Sequence, residues 1–452
     1  MKKKIVVVGG LAAGPSAAAK AVRTNPESEV VLFEATDTVS YGICETPYVI
    51  GGMIEDEHHL ERYTPQQLQD EKGFAVRTSH HVETILSAKH ELIVRDLRQR
   101  SDIHVEYDKL ILATGATPKR IGLKGEDGRN VFYLRSRGDC LGILNYLKMG
   151  TPKHAVIVGA GYVGMEMIEA FHTRGLEVTI LHEGNLPLDH LEPETREKIL
   201  EQLWSHEVQF HPEVTIEGFV NDASGKVKHI ITNRGSFEAD IILIAIGVEP
   251  NVKLAHEAKI RVGNSGAILT NEQQKTSADD IYAAGDCCEV KNIITGTSVY
   301  LPLASIASRT GWIAGENAAG GRALFKGVIH AAAIKVFDLE IAHVGLSSEE
   351  ARTHRFDVTM EIINSTSKVP MFPGCENITI KLIIDRQTKR VLGADLFGGQ
   401  GTVLRSNVIG VAIQQKLTIG DIAKLDLVYA PPFAPLWDPV LIAANKASRK
   451  FS

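Results

Sequence analysis

Apolar and polar positions in this chain follow two rhythms. Near the start, "KIVVV" (4–8) is an unbroken apolar run; a glycine-rich turn, a stretch of small residues and a second apolar run, "EVVLF" (29–33), follow it. Short continuous apolar runs suit strands covered on both faces, and the small-residue stretch between them suits a helix lying close on such a sheet. The segment "KIVVVGGLAAGPSAAAKAVRTNPESEVVLFEA" (4–35) therefore predicts strand, turn, helix and strand. The same grammar returns about 150 residues later in "HAVIVGAGYVGMEMIEAFHTRGLEVTILHEG" (154–184). Each copy leads to a further apolar run ending at glycine, "YDKLILATGATPKR" (107–120) and "ADIILIAIGVEPN" (239–251), and "DDIYAAGDCCEV" (279–290) is a last strand-like run. The order predicts one unit (1–118 and 252–325) with a second (119–251) inserted into it. From about residue 326 the rhythm changes. "AAAIKVFDLEIAHVGLS", "FDVTMEII", "ITIKLIID" and "VLGADLFG" read as strands and "TVLRSNVIGVAIQQKL" as a helix, so 326–452 is expected to be an α+β unit packed beside the other two.

Bulk properties narrow the class of protein. With 452 residues, 44% hydrophobic and 23% charged, the chain is long enough for two or three cored domains. A net charge of −6 without a dense Lys/Arg block argues against nucleic acid or an anionic membrane as partner. The opening "MKKKIVVVGG" resembles a signal peptide only briefly, because "IVVV" is too short for its apolar region. No window approaches the roughly 18 apolar residues of a membrane helix, and a cytoplasmic location is expected. The five cysteines, Cys44, Cys140, Cys287, Cys288 and Cys375, are few, odd in number and scattered, unlike a secreted disulfide framework. No CxxC occurs, and the fifth residue after Cys44 is Val49, so a paired-cysteine redox motif is absent. The pairs His58–His59 and His80–His81 lack metal-ligand spacing and are expected on the surface, with no metal site.

The glycine turns carry the first chemistry. In GxGxxG the glycines permit a tight turn and let backbone approach a pyrophosphate, whose charge then rests at the next helix's N-terminus. The second copy is complete, with Gly159, Gly161 and Gly164. In the first, Gly9 and Gly14 fit, Gly10 stands one position early, Leu11 takes the middle place, and Ala13 precedes Gly14. An acid about 20 residues on accepts hydrogen bonds from a ribose. Glu34 fills that place in the first unit; in the second, "TILHEG" offers His182 or Glu183, and Glu183 would favour NADH over NADPH. Asp286, in "AAGD", is either a turn-forming acid beside Gly285 or a cofactor ligand. Together these predict an α/β protein of two interleaved Rossmann-like dinucleotide-binding domains with a C-terminal α+β domain.

These motifs, with "LILATGATP", "SYGICETPYVIGG" (40–52) and "YAPPFAPLWDP" (429–439), resemble those of the pyridine nucleotide–disulfide oxidoreductases over nearly the whole chain. Within them the chain is similar to the single-cysteine branch of CoA-disulfide reductases, NAD(P)H-dependent persulfide reductases, NADH oxidases and NADH peroxidases. The resemblance implies FAD on the first domain, at Gly9, Gly10, Ala13, Gly14, Glu34, Thr114, Gly115 and Asp286. It implies NADH or NADPH on the second, at Gly159, Gly161, Tyr162, Gly164, Glu166, Glu183 and Gly247. It further implies a homodimer in which one chain's C-terminal domain, through Tyr429, completes the other's pocket around Cys44. Oxidases and peroxidases of the branch carry a histidine in the first glycine turn; Ala12 stands there here and points to the thiol-handling reductases. Ser16, Lys20, Arg23 and Ser40 match their CoA contacts, and two cations on one helix suit a phosphorylated ligand. Ile43, Glu45 and Thr46 depart from the family's pattern around the cysteine, and "MFPG" (371–374) lacks its tyrosines, which leaves the substrate open among CoA disulfide, a persulfide and another thiol.

A reactive cysteine works as a thiolate, which a helix N-terminus or a cation favours. Pro47 suits a first helical turn just after Cys44, whereas Glu45 raises a neighbouring thiol's pKa or serves as a proton donor. Cys287 and Cys288 are expected as buried thiols. The expected activity is an FAD-dependent NAD(P)H oxidoreductase reducing a low-molecular-weight disulfide or persulfide through Cys44. The alternatives are an NADH oxidase or peroxidase, and a non-catalytic flavoprotein redox sensor.

Overall fold

The computed structural model describes residues 2–451. The first apolar runs form a five-stranded parallel sheet in the order Ile281–Ala283, Lys109–Leu112, Lys4–Val8, Glu29–Phe33, Ala75–Arg77. Its central strand is apolar from Ile5 to Val8 because both faces are covered: Ile5 and Val7 pack with the helices, Val6 and Val8 with the opposite layer. A second five-stranded parallel sheet has the order Gln209–His211, Glu177–Leu181, His154–Val158, Ile241–Ile244, Val131–Phe132. Antiparallel three-stranded meanders flank each, at 80–106 and 216–238.

Where the chain passes between the two sheets, Ala116–Pro118 and Val248–Pro250 pair as an antiparallel ribbon. Asn251 locks it: its amide Nδ2 donates to the Thr114 carbonyl (2.8 Å), and the Thr114 hydroxyl donates to the Asn251 carbonyl (2.6 Å).

Helix Ala13–Thr24 packs against helix Ala304–Ala318, an element without a clear apolar stripe in sequence. Small residues allow the approach. A Cβ on Gly311 would lie 2.2 Å from the Ala13 carbonyl oxygen, and one on Gly315 2.0 Å from that of Ala17.

The C-terminal unit is a five-stranded antiparallel sheet, ordered Ala331–Val336, Leu339–Gly345, Val391–Gly398, Asn377–Asp385, Val358–Thr366. The run read as one strand at 331–347 is a hairpin turning at Phe337 and Asp338. Helices Thr402–Gln414 and Pro439–Ser448 cover one face, burying Ile380, Leu382, Leu396, Ile409 and Val440. The fold class is the one the sequence pattern predicts.

Candidate functional site

The two glycine turns superimpose in their hydrogen bonding. The Gly9 amide donates to the Phe33 carbonyl and the Gly159 amide to that of Leu181, each at 2.8 Å. Gly9 and Gly159 are left-handed, at φ 113° and 103°. A Cβ at Gly14 would sit 1.8 Å from the Gly9 carbonyl oxygen, and one at Gly164 2.2 Å from that of Gly159, so the outer glycines serve the turn itself. Gly161 and Gly115 differ: an added Cβ meets nothing within 4 Å, so the space before them is open. Neither helix that follows, Ala13–Thr24 or Tyr162–Thr173, has a side-chain cap among the described residues, which leaves first-turn amides of each free to donate. These donors fit a dinucleotide pyrophosphate at each turn.

Beside the first turn, Glu34 accepts from the Gly10 amide (2.7 Å) and from the Thr36 amide and hydroxyl (2.8 Å each). A cavity of about 550 Å³ opens there, lined by Gly9, Glu34, His80, His81, Thr114 and Asn251 among others. His81 is exposed, as expected of a surface histidine, while His80 is half-buried with its ring at the Thr78 carbonyl (2.7 Å) and Asp96 (3.7 Å); both line this cavity, where the first sheet's flanking meander brings them, a placement no local spacing reveals.

At the second turn, the strand register aligns one of the two residues the sequence offers. Because Leu181 matches Phe33, His182 holds the place of Glu34. Its ring turns onto its own loop, with Nε2 3.2 Å from the Leu186 carbonyl, while Glu183, one residue on, is exposed. Tyr162 opens the helix, largely buried, and its hydroxyl is 2.8 Å from His190 Nε2. Glu166, one turn on, is partly buried without a hydrogen-bond partner among the described residues, and burial pushes its carboxyl up to about 7. Gly247 is left-handed at φ 107°, and its carbonyl accepts from the Lys119 amide at the ribbon (3.0 Å).

Cys44 is exposed just ahead of the short helix Thr46–Gly51, which has Pro47 in its first turn. Glu45 turns back to an ion pair with Arg62 and fills the space that Gly42 leaves. Although the residue keeps an exposed face, the protein packed around it withdraws water and raises the Cys44 thiol pKa; Glu166, Glu45 and Asp286 raise it further, and Arg135 opposes them. Arg135 forms an ion pair with Asp286, and the Tyr300 hydroxyl donates to the Asp286 carbonyl (2.9 Å). Cys44, Arg135, Asp286 and Glu166 are therefore within electrostatic reach of one another. Arg135 and Tyr300 escaped sequence reading, since the one signal, an arginine just past an apolar run in "FYLRSRGD", is shared by many surface arginines.

The matched ligand-helix residues divide. Lys20 pairs with Glu316 (2.8 Å) and lies 3.9 Å over the Trp312 ring, while Arg23 is exposed and has no ion-pair partner among the described residues. The Ser16 hydroxyl donates to the Ser308 carbonyl (2.9 Å), and the Ser40 amide to that of Gly10 (2.8 Å). Cys287 and Cys288 are buried free thiols with sulfurs 3.6 Å apart, and Cys140 is buried. Tyr429 stands on an exposed apolar surface with Val428, Phe433, Leu436 and Trp437, and no hydrogen bond or charge interaction joins it to Cys44 among the described residues.

Paired dinucleotide turns, a lone cysteine between them and a separate antiparallel domain define a class of two-nucleotide redox proteins. Residues 3–311 match the pyridine nucleotide-disulphide oxidoreductase family, and residues 331–439 match its dimerisation domain. The chain belongs to that family. It is 36% identical over 447 residues to an NAD(P)H sulfur oxidoreductase (CoA-dependent) of Pyrococcus furiosus, covering 98% of this chain and 99% of the relative. An NADH oxidase of Methanocaldococcus jannaschii is 30% identical over 450 residues, 99% of each chain. Among solved structures, an NAD-dependent persulfide reductase from A. fulgidus superimposes with a TM-score of 0.95 at 32% identity, covering 99% of this chain and 83% of that one.

Proposed function

We propose that the chain is an FAD-dependent NAD(P)H oxidoreductase that reduces a low-molecular-weight disulfide or persulfide, CoA-linked or similar, through Cys44. The observation that carries this is the lone exposed Cys44 beside the Arg135–Asp286 pair, with Ala12 where oxidases of the branch bear a histidine. The sulfur-reducing relatives support it. Residues 1–118 and 252–325 would hold FAD, with Gly9, Gly10, Ala13 and Gly14 at the pyrophosphate, Glu34 at the ribose, and Thr114, Gly115 and Asp286 along the remainder. Residues 119–251 would hold NAD(P)H, with Gly159, Gly161 and Gly164 about the adenosine half together with His182 in the place matching Glu34 and the exposed Glu183 beside it, and Tyr162, Glu166 and Gly247 about the nicotinamide half. Residues 326–452 would form a homodimer across the exposed apolar surface around Trp437.

Bound FAD would supply the two-electron path from NAD(P)H to sulfur. Cys44 as thiolate attacks one sulfur of the substrate disulfide, forming a Cys44–S–S–R bond and releasing RS⁻. Arg135 lowers the cost of that thiolate, and the partner's Tyr429 gives RS⁻ its proton. Arg23, exposed and without an ion-pair partner among the described residues, is a cation ready for a substrate phosphate; Lys20 must first leave Glu316.

The test is non-reducing mass spectrometry of the Cys44 peptide from protein purified without added thiol. A CoA or other thiol adduct supports the proposal and names the substrate class. Sulfenic or sulfinic acid without an adduct points to the oxidase or peroxidase chemistry. An unmodified, unreactive thiol overturns the proposal.

A further inference from the structure

Away from Cys44, three histidines meet where the loop before helix Pro193–Ser205 touches the C-terminal sheet. The ring centroids of His190 and His330 are 5.3 Å apart, those of His190 and His343 5.5 Å, and those of His330 and His343 5.0 Å. His343 is wholly buried, with Nδ1 2.7 Å from Asp395 Oδ1 and Nε2 3.1 Å from the Gly345 carbonyl oxygen. A carboxylate and a carbonyl only accept, so both ring nitrogens carry hydrogen and His343 is an imidazolium. Asp395 is saturated: its other oxygen accepts from the Glu192 amide (2.7 Å) and the Thr195 hydroxyl (2.9 Å).

A second cation beside this one is disfavoured. Burial first and the His343 charge second push His190 down to about 4 and His330 to about 3. Asp395 and Asp189 pull His190 upward, while Arg196 adds to the downward push. Neutral His190 has one donor and one acceptor nitrogen; its Nε2 is 2.8 Å from the Tyr162 hydroxyl and accepts from it in the tautomer that carries hydrogen on Nδ1. Tyr162 is the first residue of the helix that begins at the second glycine turn.

We propose that His190 is a positioning residue for the pyridine nucleotide: it fixes the Tyr162 ring at the edge of the second turn, and its burial against the C-terminal domain, beside the His343 imidazolium, holds it in the accepting form this needs. The proposal rests on the reading that NAD(P)H docks on that turn. A tethered ring is ordered before the nucleotide arrives; an untethered one has to be ordered on binding, which weakens it.

The experiment is calorimetric titration of the full-length flavoprotein with NAD⁺ and with NADP⁺. His190→Leu and Tyr162→Phe are each expected to raise the dissociation constant of the preferred nucleotide about fivefold, the worth of one hydrogen bond. The double variant is expected to be no weaker than either single one, because one bond is lost only once. His190→Gln, whose amide oxygen accepts, is expected to return to within about twofold. If His190→Leu does not fold, Tyr162→Phe, which removes only the hydroxyl, still has to show the loss. Additive effects, or Gln and Leu behaving alike, would overturn the proposal while leaving nucleotide docking intact. Failure of the unaltered protein to bind either nucleotide would overturn the docking reading and this proposal with it.

Discussion

Glu166 is a carboxyl partly out of water with no hydrogen-bond partner among the described residues, so its neutral form is the one the fold tolerates. Its pKa is raised to about 7 against an ordinary value near 4.3, so the fold keeps its full stability below the ordinary value. That stability is lost as pH rises through the raised value. Glu166→Gln should therefore match the unaltered protein at pH 4 and exceed it at pH 8 by about 2 kcal/mol, after a discount for partial exposure, in denaturant unfolding without nucleotide. At Cys44, Arg135→Met should raise the thiol pKa and slow alkylation by iodoacetamide at neutral pH several-fold, whereas Glu45→Gln should speed it only slightly because Arg62 already neutralises Glu45. Equal rates in all three proteins would remove the electrostatic account. Residues such as Cys44, Glu34 and the turn glycines were legible because their chemistry depends on neighbours in sequence. Arg135 and His190 were not, since each takes its meaning from a partner brought by another element: Asp286 and Tyr162 respectively.

At the scale of elements, glycines in one motif carry different loads. Gly161→Ala meets nothing in the chain, so it should leave the unfolding midpoint unchanged yet weaken nucleotide binding by filling open space. Gly164→Ala drives a Cβ to 2.2 Å from the Gly159 carbonyl oxygen and should destabilise the protein itself, by about 1–3 kcal/mol. Unfolding curves beside titrations separate the two. The repeated strand–turn–helix–strand units were readable because buried parallel strands leave continuous apolar runs. Helix Ala304–Ala318 was missed for the opposite reason: its contact with helix Ala13–Thr24 uses Gly311, Gly315 and alanines, which leave little apolar contrast.

At the scale of the whole molecule, the buried His343–Asp395 pair ties the C-terminal sheet to the loop before helix Pro193–Ser205. Asp395 is held low by His343 in spite of its burial, so its contribution disappears as pH falls through that lowered value. For His343, burial is outweighed by Asp395 and the value is raised, so its contribution is complete below the usual histidine range and disappears as pH rises through the raised value. Asp395→Asn should cost about 3 kcal/mol at pH 6, and the gap from the unaltered protein should narrow by pH 9; a gap independent of pH would mean the pair is not charged. Such long-range pairs leave no trace in sequence, which showed the strands of both partners but not their meeting.

The ribbon at Ala116–Pro118 and Val248–Pro250 has one more implication. The chain leaves the first sheet and returns to it through one doorway, with Pro118 and Val248 side by side as paired residues. The segment between them is in that sense a cassette: a substitute with ends about 5 Å apart, the spacing of neighbouring strands, would splice in without disturbing the first sheet's order. What it would have to supply is a face for Val49, Ile50, Ile334 and Phe337, which now pack in one core with the cassette's own Ile157 and Phe171. Modular exchange at this doorway is thus limited less by chain connectivity than by the surface left behind.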